Sequence, residues 1–187
     1  MAEAVVPGLA IAVVGPDSTW IRAYGVSEAA GGNPVSGETI FEAASLSKPL
    51  FARMVLAEAD RGTIDLDTPL GEYWDYPDLQ GDPWSGEIPA RMVLRHSSGL
   101  PNWRRDQPLA IQFKPGERFQ YSGEGYVYLE ETLAHLRGAG LEERAQEMLI
   151  APSGMAHSSF VFNGSETDHA RPHDAHGETQ QLSLIHI

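Results

Sequence analysis

The first part of the chain alternates between apolar and polar positions with the period of a β-strand. Residues 9–14 are apolar and include several β-branched side chains, residues 15–18 read G-P-D-S, and residues 19–24 alternate again. Two such segments that flank a short run of turn-forming residues predict an antiparallel β-hairpin.

Helical spacing replaces this alternation at Ser45. From there apolar residues recur at intervals of three and four until Gly62, which predicts a helix that starts at Ser45 and is closed by the glycine. Pro49 falls in its first turn, where a missing N–H is tolerated. The apolar face of this helix is predicted to contain Leu50, Phe51, Met54, Val55 and Ala57.

The middle of the chain is predicted to be loop, followed by three shorter helical segments. Residues 63–87 are rich in Asp, Pro and Gly, which favour turns. Helices are predicted over residues 89–95, around residues 126–136 with an end at Gly138, and over residues 141–149. The loop residues expected to pack inward are Leu66, Leu70, Tyr73 and Trp74.

Charge and composition restrict the possible partners. The 187 residues carry 13 Lys+Arg against 26 Asp+Glu, a net charge of −13, and no basic cluster exceeds Arg104-Arg105. We therefore expect no binding to nucleic acid or to anionic membranes. The absence of cysteine excludes disulfides and thiolate zinc sites. No apolar run reaches the ~20 residues of a membrane span, and the first residues do not resemble a signal peptide, so the location stays open.

Candidate chemistry is found in residues 41–49, F-E-A-A-S-L-S-K-P. Residues three apart on a helix are neighbours, so Ser45 and Lys48 can meet. A hydroxyl becomes a good nucleophile when a base takes its proton, and a desolvated lysine can be that base. The alternative is an N-cap serine followed by a solvated lysine.

Three downstream motifs place this pair in a wider pattern. They are R-H-S-S-G-L-P at residues 95–101, K-P-G-E-R-F-Q-Y-S-G-E-G-Y at residues 114–126 and P-S-G-M at residues 152–155. In order and spacing they resemble the class C β-lactamase superfamily of serine hydrolases, which includes DD-peptidases and β-lactamase-like esterases. The resemblance runs from about residue 6 to about residue 177.

The resemblance implies an α+β, β-lactamase/transpeptidase-like fold, an antiparallel sheet flanked by helices plus a helical domain, here truncated. It assigns residues 1–44 to the edge of the sheet domain, 45–165 to the helical domain and 166–181 to the return toward the sheet, with the active site between the two domains. The family's third motif, K-T-G or H-x-G, is missing, and the chain is about half the family's length. Residues 182–187 resemble translated adapter or vector sequence.

The resemblance also assigns roles to individual residues. Ser45 would be the nucleophile, with its own N–H as half of an oxyanion hole, and Lys48 the base. Tyr121 would relay protons to the leaving group and help to activate the deacylating water. The alternative for Tyr121 is a core aromatic beside Phe119 and Tyr126.

Two further residues belong to these motifs. Penicillin-recognising relatives carry asparagine at the position of Gly123, where its amide holds the lysine and a substrate amide. Glycine can do neither, so Gly123 is a weaker substrate-binding candidate and its presence favours simpler esters. His96 is expected to order a loop through hydrogen bonds rather than to act as a base.

The cluster formed by Asp168, His169, His173, Asp174 and His176 has the side chains of a metal site. Its spacing fits no zinc pattern, and Pro172 and Gly177 indicate a loop. A solvated loop is therefore predicted, with no metal and no cofactor.

Together these features predict a serine hydrolase that acts through an acyl-enzyme on Ser45, with esters ranked first among small-molecule substrates. One alternative is a β-lactamase or D-alanyl-D-alanine peptidase, and another is a catalytically degraded homologue that binds a ligand. The 187-residue chain alone is expected to be inactive, because it lacks the third motif.

Overall fold

The structure is a computed structural model in which residues 6–162 and 168–181 are described. Two compact units divide these residues. The hairpin unit contains residues 6–44, 155–162 and 168–181, and the helical unit contains residues 45–154. The predicted foreign tail, residues 182–187, lies outside the described residues, and the domain boundaries inferred from the sequence stay a prediction.

The hairpin unit is built around the two predicted strands. Strand β1 (Gly8–Val14) and strand β2 (Thr19–Gly25) pair antiparallel, with Gly8 opposite Gly25 and Val14 opposite Thr19. Gly15 N donates to Ser18 O at 2.8 Å and closes the turn between them. The predicted hairpin is therefore confirmed, because the apolar alternation and the turn residues agree.

Helix α1 (Ser47–Asp60) begins two residues later than predicted. Ser45 lies in the preceding 3₁₀ turn, Ala44–Leu46, and Leu46 holds the N-cap position without a side-chain hydrogen bond. The prediction that Ser45 opens the α-helix is therefore wrong, since Ser45 belongs to a tighter turn with i→i+3 geometry.

The C-terminal end of α1 is the predicted glycine stop. Gly62 has φ 76°, a left-handed conformation that glycine adopts without strain. Its N–H donates to Ala59 O at 2.9 Å, while Thr63 N donates to Glu58 O at 3.0 Å. These two bonds are those of a Schellman motif, which satisfies the last carbonyls of the helix.

The loop and the shorter helices of the helical unit follow the sequence pattern with changed boundaries. Residues 63–87 contain three single 3₁₀ turns, and the predicted short helix is α2 (Ala90–Leu94). Helix α3 (Gly123–Arg137) begins after Ser122, whose Oγ accepts from Gly125 N at 2.8 Å, and ends at Gly138. The segment predicted as one helix over residues 141–149 is α4 (Leu141–Ala145) continued by a π-helical turn, Gln146–Ile150.

The core of the helical unit lies between α1, α2, α3 and the 63–87 loop. Burying one large apolar side chain contributes roughly 1.5–3 kcal/mol. Besides Lys48, helix α1 buries positions 51, 54, 55 and 58, whereas Leu50 and Ala57 of the predicted face are only partly buried. The fourth position on this face is Glu58, a charged residue that the apolar pattern did not include. The inward-packing loop residues are confirmed: Leu66, Leu70, Tyr73 and Trp74.

Over the described ranges, no helix combines the length and the apolar character needed to cross a bilayer.

Candidate active site

Ser45 and Lys48 lie next to each other at the start of α1. Lys48 Nζ donates to Ser45 Oγ at 3.4 Å, Ser45 is exposed, and only 4% of Lys48 is accessible to solvent. The 3₁₀ turn places Ser45 one turn before Lys48, so the three-residue spacing brings the two side chains together. The alternative of a capping serine with a solvated lysine is wrong, because Ser45 caps no helix and Lys48 is buried.

Aromatic rings surround the Lys48 ammonium. Its nitrogen lies 5.3 Å from the centre of the Tyr121 ring and 5.5 Å from that of Tyr126. Ring faces attract a cation at these distances. In the part of the chain that the structure describes, no carboxylate lies within 4 Å of this ammonium. The Lys48 ammonium thus contacts the Ser45 hydroxyl and the faces of two aromatic rings.

Tyr121 completes the cluster. Its hydroxyl lies close enough to Ser45 and Lys48 for both groups to lower its pKa. Burial raises the pKa of Tyr121, but the interactions with Ser45 and Lys48 and the Lys48 charge outweigh it and leave the pKa below its ordinary value. The side chain is 38% exposed and Phe119 is 70% exposed, so the alternative of a core aromatic beside Phe119 is not what the structure shows. The structure thus brings together Ser45, Lys48 and Tyr121, whose catalytic roles stay a prediction.

Two loop segments run side by side and carry Tyr121 to this position. Gln112 N donates to Gly99 O, Gly116 N to Ser97 O and Gln120 N to His96 O, each at 2.8 Å. Gly99 has φ 83°, and a Cβ there would lie 2.3 Å from Phe113 O. The glycine of the S-S-G-L-P motif is therefore required for the close approach of the second segment.

His96 orders these loops, as the sequence predicted. Its Nδ1 accepts from Ser122 N at 3.1 Å, and its ring centre lies 4.4 Å from that of Tyr121 and 5.1 Å from that of Tyr126. Burial, and next the positive charge of Lys48, lower the pKa of His96.

Gly123 is buried at the first position of α3. Its N–H donates to Asn102 O at 3.1 Å and to Asn102 Oδ1 at 3.2 Å. A Cβ there would meet Asn102 O at 2.6 Å and the Trp103 ring at 2.7 Å. The backbone and indole of the 102–103 loop thus fill the space into which a side chain at position 123 would extend. Substrate binding by Gly123 stays a prediction.

Tyr126 is the residue that the sequence analysis did not assign to the site. It was considered only as an aromatic on the apolar face of a helix, yet its ring faces Lys48 and its hydroxyl donates to Leu94 O at 3.2 Å. Its place in the motif, five residues after Tyr121, was the available signal. On a helix that starts at Gly123, this residue turns back toward the segment that precedes the helix.

The acidic and histidine residues near the end of the chain bond within the hairpin unit. Thr39 Oγ1 donates to Asp168 at 3.0 Å, and Ala29 N donates to His173 Nε2 at 3.1 Å. Asp174 Oδ1 accepts from the backbone N–H groups of His176 and Glu178. Within residues 6–162 and 168–181, no three His, Asp or Glu side chains are arranged to hold a metal ion.

Comparison with known proteins identifies the family. A family model described as Beta-lactamase matches residues 1–183. Penicillin-binding protein 4* of Bacillus subtilis (strain 168) is 26% identical over 192 residues, covering 91% of this chain and 41% of that protein. Esterase EstB of Burkholderia gladioli is 25% identical over 193 residues, covering 86% and 48%.

A solved class C beta-lactamase mutant superposes with a TM-score of 0.86 at 22% identity, covering 100% of this chain and 56% of that one. At this identity the likeness shows the fold alone, and it confirms the predicted β-lactamase/transpeptidase-like class. The chain spans less than half of the two curated relatives described above. Because the family model matches almost its whole length, the chain belongs to the beta-lactamase family.

Proposed function

We propose that the protein is a serine hydrolase that forms an acyl-enzyme on Ser45 and acts on esters. The observation that carries this proposal is the cluster at the start of α1, where exposed Ser45 accepts a hydrogen bond from buried Lys48 and Tyr121 lies beside both. A nucleophile within hydrogen-bond reach of a base, with a third group orienting the pair, is the arrangement that covalent catalysis requires.

In the acylation step, Ser45 Oγ attacks the ester carbonyl carbon. Its proton passes to Lys48 Nζ, which must be unprotonated at that moment. The C–O bond to the alcohol then breaks, and Tyr121 donates its proton to the departing oxygen. Lys48 then passes the proton that it took from Ser45 to Tyr121. Water then attacks the acyl-enzyme, and its proton passes to Tyr121 as Tyr121 passes its own proton to Lys48. The acid leaves as Lys48 returns that proton to Ser45 Oγ. The lowered pKa of Tyr121 suits it to this exchange.

Gly123 favours esters within this reaction class. An ester offers no N–H for the enzyme to recognise, whereas peptides and penicillins present an amide beside the scissile bond. At position 123 there is no amide side chain, and the surrounding space is filled by Asn102 and Trp103. The name of EstB, an esterase, agrees with this choice. The name of penicillin-binding protein 4* supports the second candidate, hydrolysis of β-lactams or D-alanyl peptides.

The test uses the full-length natural protein that contains this chain. Purified protein is treated with a fluorophosphonate and a fluorescent β-lactam, and its turnover of p-nitrophenyl esters, a chromogenic β-lactam and a D-Ala-D-Ala peptide is compared. Ser45→Ala is expected to abolish covalent labelling and ester turnover, because no other group can form the acyl-enzyme. Ser47→Ala is the matched control, since it lies on the same tryptic peptide, and it is expected to keep the label.

Each outcome separates the candidates. Faster turnover of β-lactam or peptide than of every ester would replace the ester proposal by the second candidate. A folded protein that binds these ligands but neither labels nor turns them over would be a catalytically degraded homologue. Labelling that survives in Ser45→Ala would overturn the assignment of the nucleophile.

A further inference from the structure

His96 contacts the chain on both sides of Tyr121. Its carbonyl accepts from the N–H of Gln120 at 2.8 Å, and its Nδ1 accepts from the N–H of Ser122 at 3.1 Å. Its ring also lies against the Tyr121 ring, with centres 4.4 Å apart and planes inclined by 30°. The residues immediately before and after Tyr121 are thus both anchored to His96.

The backbone conformation of His96 is uncommon for a residue other than glycine. Its φ is 58°, in the left-handed region where a non-glycine residue is strained by roughly 1–3 kcal/mol. The strain is held by the His96 N–H, which donates to Val93 O at 2.9 Å, and by the two bonds to the 120–122 segment. A left-handed residue at this point turns the imidazole toward Tyr121 while its carbonyl still reaches Gln120.

We propose that His96 is a positioning residue that holds Tyr121 against Ser45 and Lys48 only while its imidazole is neutral. The inference rests on the proposed function in one respect, the catalytic use of Tyr121. A neutral imidazole can leave Nδ1 free to accept from Ser122, whereas an imidazolium carries a proton on both nitrogens and has no acceptor. Protonation would therefore break the bond to Ser122 and release one of the two anchors of Tyr121.

The surroundings of the imidazole oppose its protonation. From α1 it faces the Lys48 ammonium, from the loop before α3 it faces Tyr121 and Phe119, and from α3 it faces Tyr126. Arg95, its neighbour in sequence, is bonded to Ser97 Oγ. The positive charge of Lys48 acts on His96, so an imidazolium would be a second cation in the same cluster. These groups agree with the lowered pKa of His96.

Two variants, His96→Asn and His96→Phe, test separately the hydrogen-bond acceptor and the aromatic ring of His96. Asparagine places a carbonyl oxygen where Nδ1 lies, tolerates positive φ and does not titrate. Phenylalanine keeps a ring beside Tyr121 but removes the acceptor. In the full-length protein we expect His96→Phe to lose about 10²-fold in kcat, since a small misplacement of a reacting group has this effect, with little change in KM. We expect His96→Asn to retain more of kcat than His96→Phe does.

The pH profile and a direct titration complete the test. In the wild type, kcat should fall with decreasing pH in step with the protonation of His96 followed by NMR, at a pH below the ordinary range of a histidine. His96→Asn should lack this acid limb. An acid limb that is unchanged in His96→Asn, or a His96→Phe variant with wild-type kcat, would overturn the proposal.

A readout independent of catalysis distinguishes this failure from failure of the proposed function. The phenolate absorbance of Tyr121, obtained by subtracting the titration of Tyr121→Phe, reports whether its hydroxyl still contacts Lys48 and Ser45. His96→Phe should return the pKa of Tyr121 toward its ordinary value, and His96→Asn should keep it lowered. If this pattern is found while Ser45→Ala still labels, the positioning role stands and the acyl-enzyme proposal fails. If Ser45→Ala loses the label but the Tyr121 titration is the same in both His96 variants, only the positioning role is wrong.

Discussion

Helix α1 buries one charged side chain near each end, and the two differ in the groups that contact them. Near its start, Lys48 is 4% exposed and contacts a serine hydroxyl, a tyrosine hydroxyl and two aromatic rings. Near its end, Glu58 is fully buried, accepts from Thr63 Oγ1 at 2.7 Å and lies 3.4 Å from Arg137 Nε. Burial of a charge therefore does not by itself mark a candidate active site; the kind of partner does.

The cluster around Glu58 has opposite charges in contact. Arg144, which is fully buried, donates to Glu130 Oε1 at 2.8 Å and to Ala139 O at 3.1 Å, and Glu58 also stabilises its charge. Burial lowers the pKa of Arg144, against the effect of these carboxylates. This network ties α4 and the turn before it to α1 and α3. It has no exposed nucleophile, and we interpret it as structural.

Lys48 gives the largest contrast when it is replaced. Lys48→Met should lower acylation and ester turnover of the full-length protein by on the order of 10⁴-fold, because residues that act as one catalytic unit lose most of the rate together. The free energy of unfolding should stay the same or rise, since methionine removes a charged group from a buried position. Stopped-flow acylation and urea unfolding measure the two quantities.

Lys48→Arg is the matched variant that keeps the positive charge. Guanidinium remains protonated and cannot accept the proton of Ser45, so we expect nearly the same loss of turnover. An active arginine variant would mean that Lys48 acts through its charge alone and that Tyr121 is the base.

Arg144 should show the reverse behaviour. Arg144→Met leaves partly buried Glu130 without its ion-pair partner and removes a positive charge near buried Glu58, which should lower the free energy of unfolding by roughly 3–5 kcal/mol. Turnover per folded molecule should not change. The double variant Arg144→Met/Glu130→Leu should recover part of the loss, because it removes both charges. Equal loss of turnover in Arg144→Met and Lys48→Met would break the distinction between the two ends of α1.

The sequence could predict the site better than the buried network. Ser45 and Lys48 are three positions apart, so local spacing predicted their contact, whereas Tyr121 was assigned to the site only by the resemblance to the β-lactamase family. Glu58 and Arg144 are 86 positions apart and come together only through tertiary packing. A pattern of apolar positions along a helix does not predict a buried carboxylate. Their burial could not be read from periodicity.

The sequence also could not predict the exact start of α1 or the steric conflict at Gly123. Helix α1 starts two residues later than predicted because Ser45 lies in a 3₁₀ turn. Helix propensity does not distinguish such a turn from the first turn of an α-helix. At position 123 the sequence showed only that glycine lacks the side-chain amide of the asparagine found in penicillin-recognising relatives. The structure shows why a side chain is excluded there, because Asn102 and Trp103 come from a loop about 20 residues away in sequence.

Gly123→Ala tests this exclusion with a smaller effect. Its Cβ would lie 2.6 Å from Asn102 O, so the free energy of unfolding should fall by roughly 1–3 kcal/mol. Gly140→Ala is the control, since nothing lies within 4 Å of a Cβ there and φ is −72°, and it should change stability by about 0.5 kcal/mol or less. Gly123→Asn should lose at least as much stability as Gly123→Ala. Equal stability of the two alanine variants would show that the 102–103 loop moves aside.

The smallest effect concerns the pH dependence of the structural cluster. Burial raises the pKa of Glu130 by more than Arg144 lowers it, so the folded chain holds this proton more tightly than the unfolded chain does. The contribution of Glu130 to stability is therefore fully present below its unfolded pKa and is lost as pH rises through the raised folded pKa. Glu130→Gln should remove this decline, so the difference in unfolding free energy between wild type and variant should change with pH across the weakly acidic range and be constant above it. Glu143→Gln, which removes the same charge from an exposed position on α4, is the control for the loss of one negative charge. Parallel curves of unfolding free energy against pH for wild type and Glu130→Gln would mean that Arg144 compensates in full for the burial of the Glu130 carboxylate. The charged cluster near Glu58 would then be more strongly paired than the burial of its side chains implies.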